Sequence, residues 1–264
     1  MVAHRTSSPA FAAQPNQEPV LHLFGGPYAT LGGRRWEVPE GSKRLLAFVA
    51  LHRRRVERRH AAGTLWPIGD DGRAAGNLRS ALWRLRGAGI DLLAADKWSL
   101  ALCDEVVVDV HVVSNWAGRL IDKTASDDDL AVLPCWVDAL DLLPGWYDDW
   151  ALVERERMRQ RVLHALEALS RRLVGAGRCA EAVEAAMLAV GADPLRESAQ
   201  RALIEAHLAE GNWVEGWRGY QAYRDLLRRE LGVEPSADLV ALLQAARHDR
   251  STRSQELHLQ AVSL

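Results

Sequence analysis

Asn77-Leu78-Arg79-Ser80-Ala81-Leu82-Trp83-Arg84-Leu85-Arg86 is the stretch whose reading decides the fold. Its leucines, Leu78, Leu82 and Leu85, recur at i, i+4 and i+7, the spacing of one helix face, and so are expected to meet a core. Left on the other sides are Asn77, Arg79, Ser80, Trp83, Arg84 and Arg86: long donors, a hydroxyl and an indole. A helix anchored by leucine and presenting Arg, Asn and Ser suits the major groove of DNA, where Arg donates to guanine edges or phosphates and Asn pairs with adenine. A surface helix whose arginines are merely solvated is the other reading of the same pattern. The helix is expected from about Arg73 to Arg86, with Gly87 as its stop.

Working outward, two more helices precede it. Leu45, Leu46, Phe48, Val49 and Leu51 form a wide apolar stripe at helical spacing, with Ser42 as the expected N-cap. A shorter helix, Arg58 to Trp66, is expected to stop at Pro67 and the loop Gly69-Asp70-Asp71-Gly72. Before them, Val20 to Phe24, Tyr28 to Leu31 and Trp36 to Val38 are separated by Gly-rich pairs, the punctuation of three short strands. After them, Ile90 to Leu102 alternates around Ala95-Asp96-Lys97 and predicts a hairpin with Leu100 and Leu102 on one face. Three helices and a hairpin make a winged helix, with Lys97 and Trp98 at the wing tip, in reach of phosphate or minor groove. Val106-Val107-Val108 is a further strand candidate.

Charge singles out the same region. The whole chain is at -2, yet Gly41 to Arg86 carries an excess of eight positive charges, among them Lys43, Arg44 and Arg73. A basic segment in an acidic chain is read either as a site for a polyanion or as solvated surface.

From His111 onward the pattern is helical. Asp127-Asp128-Asp129 resembles a metal cluster only superficially: adjacent carboxylates share no face of a helix or strand, so an acidic loop or helix N-terminus is expected. A long helix is expected over about Asp149 to Val174, with Val153, Val162, Leu166, Leu169 and Leu173 as its apolar positions. Gly177-Arg178-Cys179-Ala180-Glu181-Ala182 then recurs as Gly211-Asn212-Trp213-Val214-Glu215-Gly216, an offset of 34 residues that matches tetratricopeptide-like helix pairs. In that register Ala165 falls on Ala199 and Leu169 on Leu203. A last helix is expected over about Ser236 to Arg247. Trp213, Trp217, Tyr220 and Tyr223 share one helix, either as inter-repeat packing or as a partner surface.

The expected fold class is therefore mainly α with a small β component: a winged helix-turn-helix domain over residues 20-109, then a tetratricopeptide-like helical repeat domain over 110-247. Residues 1-19 and 248-264 are expected to be flexible tails, and the first has no signal-peptide pattern. With 48% hydrophobic and 26% charged residues and no apolar run near the roughly 18 needed for a membrane span, a cytoplasmic protein without membrane contact is expected. Cys103, Cys135 and Cys179 are too dispersed for a disulfide framework or metal pair and are read as buried thiols. Nine scattered histidines form no His-Glu-x-x-His motif, and neither a nucleophile turn, a dinucleotide-binding glycine pattern nor a phosphate loop occurs. No enzyme, cofactor or metal is expected.

Four stretches together resemble the Streptomyces antibiotic regulatory protein family: residues 41-47, Gly63-Thr64-Leu65-Trp66, the helix quoted above, and Leu142-Leu143-Pro144-Gly145-Trp146-Tyr147-Asp148-Asp149-Trp150. The resemblance continues through Leu231-Gly232-Val233-Glu234-Pro235-Ser236. It implies an OmpR-type winged helix joined to a bacterial transcriptional activation domain. It further implies an activator that binds direct repeats near a promoter, two copies head to tail, and assists RNA polymerase with its sigma factor, at pathway genes such as those of secondary metabolism. The recognition positions carried over are Asn77, Arg79, Ser80, Trp83, Arg84 and Arg86. Two departures stand out: Glu57 replaces the capping Ser or Thr before the second helix, and Lys97-Trp98-Ser99-Leu100 replaces the Gly-Tyr signature of the wing. The alternative reading is a helical-repeat adaptor that touches no DNA.

Overall fold

The computed structural model describes residues 18-131 and 141-248, which fall into two compact units, 18-116 with 141-162, and 117-131 with 163-248. Cys135 and nearly all of both expected tails lie outside the described residues.

The first unit opens with strands β1 (Val20–His22), β2 (Tyr28–Leu31) and β3 (Arg34–Glu37) in an antiparallel meander. Strand β7 (Val107–Val108) adds to it in parallel with β1, giving the order β3-β2-β1-β7. Alternation along β1 and β2 buries Leu21, Leu23 and Ala29 and turns His22, Tyr28 and Thr30 away from them. His22 stacks on Tyr28 at 4.3 Å and bonds to Thr30 Oγ1 at 3.0 Å, and the Arg35 guanidinium lies 3.9 Å from the Tyr28 ring centre.

Helix α1 (Glu40–Leu51) buries Leu45, Leu46, Phe48 and Val49. Ser42 is not its cap: the helix starts earlier, with Pro39 at the N-cap accepting from the Ser42 and Lys43 amides. Within the first turn the wholly buried Ser42 hydroxyl instead donates to the Ala81 carbonyl at 2.8 Å, tying α1 to α3. Helix α2 (Arg58–Leu65) follows the two-residue strand β4 (Val56–Glu57), and Glu57 makes no side-chain cap. Its entry is held from the wing, where the Trp98 carbonyl accepts from the Arg58 amide at 2.9 Å. Helix α3 (Asp71–Gly87) begins two residues before the expected start because the Asp70 carboxylate accepts from the Arg73 amide at 2.7 Å. Strands β5 (Leu93–Ala95) and β6 (Ser99–Leu102) form the expected hairpin, and β4 joins it in the order β4-β6-β5. Leu100 is fully buried while Leu102 is only half-buried.

Helix α4 (Asp109–Ile121) starts on a buried carboxylate. Asp109 accepts from the amides of Leu23 at 2.9 Å, Phe24 at 3.1 Å and Val110 at 2.7 Å. Burial outweighs these bonds and pushes its carboxyl up from 3.8 to about 6. Between those two values the folded chain holds the proton more tightly than the unfolded chain, so stability falls as pH rises through that window. The advantage of the wild type over Asp109→Ala in denaturant unfolding is therefore expected to shrink from pH 4.5 to pH 7. An advantage that widens over this range would contradict the assignment.

Residues 141-162 complete this unit. Leu142 bridges Phe24, the Leu143 amide donates to the Leu23 carbonyl at 3.1 Å, and Arg44 pairs with Asp148. Trp150, at the start of α6 (Asp149–Gly175), meets Phe48 edge-on at 5.3 Å and Trp146 at 6.0 Å. Arg155 holds the intervening turn by donating to the carbonyls of Leu142, Leu143 and Trp146. Val153, expected to face inward, is 57% exposed; Ala151 and Met158 are the buried positions at this end of the helix.

In the second unit the aspartate triplet forms the N-terminus of the short helix α5 (Asp127–Ala131). Arg119 clamps Asp129 at 3.0 and 2.6 Å and lowers its carboxyl to about 2. No cluster of three metal-ligating side chains occurs among the described residues. The 34-residue repeat is visible in the backbone. After α6, the Gly177 amide donates to the Val174 carbonyl at 3.0 Å and the Arg178 amide to Leu173 at 2.9 Å. After α8 (Glu197–Ala209), Gly211 donates to Leu208 at 3.1 Å and Asn212 to His207 at 2.9 Å. Each position has moved by the repeat length. Gly177 and Gly211 take φ of 73° and 83°, which ends a helix at little cost only for glycine. Ala165, Leu169 and Ala199 are buried as the register requires, and Leu203 is half-buried. Helix α8 packs against α7 (Cys179–Ala192) and α9 (Trp213–Leu231). At Gly216 a Cβ would lie 3.4 Å from Leu208, a close approach of α8 and α9. Tyr220, Tyr223 and Leu227 of α9 form a core with Ile204 and with Leu239 and Leu243 of α10 (237-248), so the two tyrosines are packing residues. Trp217 differs: it stacks on Trp213 at 5.7 Å yet stays 38% exposed. Cys103 and Cys179 are free and half-buried, less enclosed than expected.

Candidate nucleic-acid interface

The orientation of α3 follows from what it buries. Ala74, Leu78, Ala81 and Leu85 are inside, while Leu82, expected with them, is only half-buried. At about 100° per residue, the direction opposite the mean of those four falls within about 10° of both Gly76 and Trp83. Alanine at 74 and 81 lets α3 sit close on that side, as the Ser42 bond to Ala81 shows, and this turns Leu82 toward the flank. Trp83 therefore stands on the outermost line of the helix, 74% exposed, with Arg79 and Arg86 to one side and Ser80 and Arg84 to the other. Asn77 lies nearer the core and is half-buried.

The basic segment divides by partner. Lys43 pairs with Glu40 at 2.7 Å, Arg44 with Asp148, Arg55 with Asp96 at 2.6 Å, and Arg59 with Asp71 at 3.1 Å. Arg53 donates to Asn115 and to the His111 carbonyl, and Arg58 donates to the Asp96 carbonyl. By contrast, the side chains of Arg73, Arg79, Arg84 and Arg86 on α3, and of Arg54, make no hydrogen bond or ion pair among the described residues. Apart from Arg54, the cations left over thus gather on the helix expected from its sequence to face DNA. Arg84 owes its course to a glycine: a Cβ on Gly41 would stand 2.6 Å from its Nη1, so only glycine there lets the guanidinium lie against the first turn of α1.

The wing is built on Asp96. Its carboxylate accepts from the amides of Trp98 and Ser99, both at 2.7 Å, from the Ser99 hydroxyl at 2.8 Å and from Arg55. The two backbone bonds, then Ser99 and Arg55, hold the Asp96 carboxyl well below the usual carboxylate range. This turn raises Lys97 and Trp98 at the tip, with Nζ 4.7 Å from the indole centre and Trp98 73% exposed. Asp96 was not singled out in the sequence, although an aspartate followed by Ser three residues on is the pattern of a side-chain-capped turn. Of the candidates, Arg73, Arg79, Ser80, Trp83, Arg84 and Arg86 share the exposed side of α3 and Lys97 stands at the wing tip. Lys43 and Arg44 lie on α1, each already facing a carboxylate.

A winged helix with an unpaired cationic helix face, in a chain that ends in tetratricopeptide-like helices, defines a class of transcription regulator. The bacterial transcriptional activator domain matches residues 113-247. In a comparison of folds, the solved structure of Mycobacterium tuberculosis EmbR in complex with low affinity phosphopeptide superposes with a TM-score of 0.65. It covers 93% of this chain and 70% of that one at 18% identity, a likeness of fold. No curated protein matches the sequence. The chain belongs to the bacterial transcriptional activator domain family and is a transcriptional activator of the Streptomyces antibiotic regulatory protein type, a regulator and not an enzyme. No helix among the described residues is long and apolar enough to cross a membrane.

Proposed function

We propose that the chain activates transcription by binding double-stranded DNA at promoter direct repeats, with α3 in the major groove and the Lys97-Trp98 wing tip on the adjacent backbone or minor groove. Two copies sit head to tail and assist RNA polymerase and its sigma factor, on the cytoplasmic nucleoid. The observation that carries this reading is the sorting of cations: those elsewhere in the basic segment are mostly engaged within the protein, while those on α3 are left for an external anion. Arg79, Ser80, Arg84 and Arg86 contact bases or phosphates, with Asn77 and Arg73 at the margins. Lys43 and Arg44 take a lesser part, at the backbone. Residues 20-109 form the reading module and 110-247 the activating one. Selection of bound sites from random and genomic DNA tests this: recovered sites are expected to be paired in direct orientation with a spacing near one helical turn. Recovery of no sequence, together with a stable protein complex, would instead favour an adaptor.

Gly76 offers a sharper check. Glycine inside a helix costs about 1 kcal/mol against alanine. No packing demands it here, since a Cβ would meet only Arg79 Nη2 at 3.8 Å. A residue that weakens the helix without a reason inside the protein suits close approach of an outside surface. Gly76→Ala is expected to raise stability by about 0.5–1 kcal/mol in urea unfolding while weakening binding to the selected site. Tighter or unchanged binding would show that nothing approaches there.

A further inference from the structure

We infer that Trp83 is a specificity-determining residue that reads the C5-methyl of a pyrimidine in the major groove. The inference rests on α3 being the helix that faces DNA, and goes beyond it by assigning one side chain to one chemical group. Trp83 occupies the outermost line of α3, opposite the buried Ala74-Leu78-Ala81-Leu85 stripe, so it is the side chain that descends furthest toward the groove floor. It is 74% exposed and has no hydrogen bond or ring contact with any described residue. Gly76, two turns earlier on the same line, has no side chain to hold the helix off. Arg79 and Arg86 on one flank and Ser80 and Arg84 on the other supply the polar contacts, leaving the indole as the one large apolar surface between them. The base edges in a major groove are donors and acceptors, with a single apolar exception, the methyl at C5 of thymine. 5-Methylcytosine carries the same group at the same position. An indole has one donor and no acceptor, so most of its surface finds a favourable neighbour on that floor only at a methyl.

The test uses the full chain and the duplex recovered by site selection, at fixed salt. Deoxyuridine replaces thymine one position at a time, 5-methylcytosine replaces cytosine in a parallel set, and wild type, Trp83→Phe and Trp83→Ala are compared. At one position per half-site, removing the thymine methyl is expected to weaken wild-type binding about fourfold, the worth of one buried methyl. It should weaken Trp83→Phe less and Trp83→Ala not at all. If uridine is silent but 5-methylcytosine strengthens the wild type and not Trp83→Ala, the same methyl chemistry comes from methylcytosine. Thermal unfolding of the variants is expected to lie close to the wild type, because Trp83 is largely exposed. Equal methyl effects in wild type and Trp83→Ala overturn the inference, as does a loss in Trp83→Ala that ignores the methyl and so reports a sugar or phosphate contact. Methyl-insensitive binding that still depends on Arg84 and Arg86 defeats this inference alone. Binding that ignores those arginines defeats α3 as the reading helix, and recovery of no DNA defeats both.

Discussion

A chain stopped after residue 112, just before the matched helical family begins, is expected to lose cooperative unfolding, whereas one carried on to residue 162 keeps it. Removing 113-264 takes away Leu142 and Leu143, 1% and 0% exposed, and the Trp150 ring that closes over Phe48. Each buried leucine contributes about 1.5–3 kcal/mol, and an aromatic edge contact about 0.5–1.5 kcal/mol. Arg44 loses Asp148, and the bonds from Gly25 and Leu143 that fix the end of β1 disappear with them. Against the roughly 5–15 kcal/mol that holds a whole domain together, these losses amount to a large share. Circular dichroism melts of the two fragments decide the matter. A sharp transition for the fragment ending at residue 112 would show that the winged helix stands without residues 141-162.

Replacing Arg79, Arg84 and Arg86 together by alanine should produce the largest change in binding. All three are exposed and have no hydrogen-bond or ion-pair partner among the described residues, so no ion pair seen there is lost and the unfolding midpoint is expected to stay put. A guanidinium paired with a guanine edge is worth about 1–3 kcal/mol. Three such contacts correspond to a loss of at least about a hundredfold in affinity for the selected site. The salt dependence separates their targets. Each arginine that neutralises a phosphate contributes about 0.9 to the slope of log K against log salt, so a phosphate-binding arginine lowers that slope when removed and a base-reading one changes it little. Arg55→Ala serves as the contrast. Its guanidinium is spent on Asp96, so it should disturb the wing without the same flattening of the slope. A triple variant that binds like the wild type would refute the assignment of α3.

Local pattern made much of this legible. Leu78 and Leu85 mark the inner face of α3, the Gly-rich pairs mark the meander, and the recurrence at Gly177 and Gly211 marks the helix pairs in the sequence alone. What stayed hidden depends on partners far along the chain. Arg44 and Asp148 are 104 residues apart, and Arg55 and Asp96 are 41, so no window of sequence shows that these arginines are engaged. Strand β4 has two residues and no periodicity to detect; it exists because Leu100 and Ser99 lie beside it. Ser42 misled because Ser before an apolar run is a common cap, while here Pro39 had already begun the helix. Leu82 misled because two alanines, not a third leucine, complete the inner face of α3.

The engagement of Lys43, Arg44, Arg55, Arg58 and Arg59 has a consequence for how such a regulator moves through a genome. Random DNA offers phosphates everywhere, and grip on it grows with every unengaged cation a protein presents. By folding much of its basic segment onto its own carboxylates and carbonyls, the chain presents fewer such cations than its sequence suggests. If the chain binds DNA as proposed, its stay on any wrong stretch is expected to be correspondingly brief, which leaves time for sampling new ones. On that proposal the arrangement favours a searcher that lets go quickly and stops where the exposed line of α3 finds its complement.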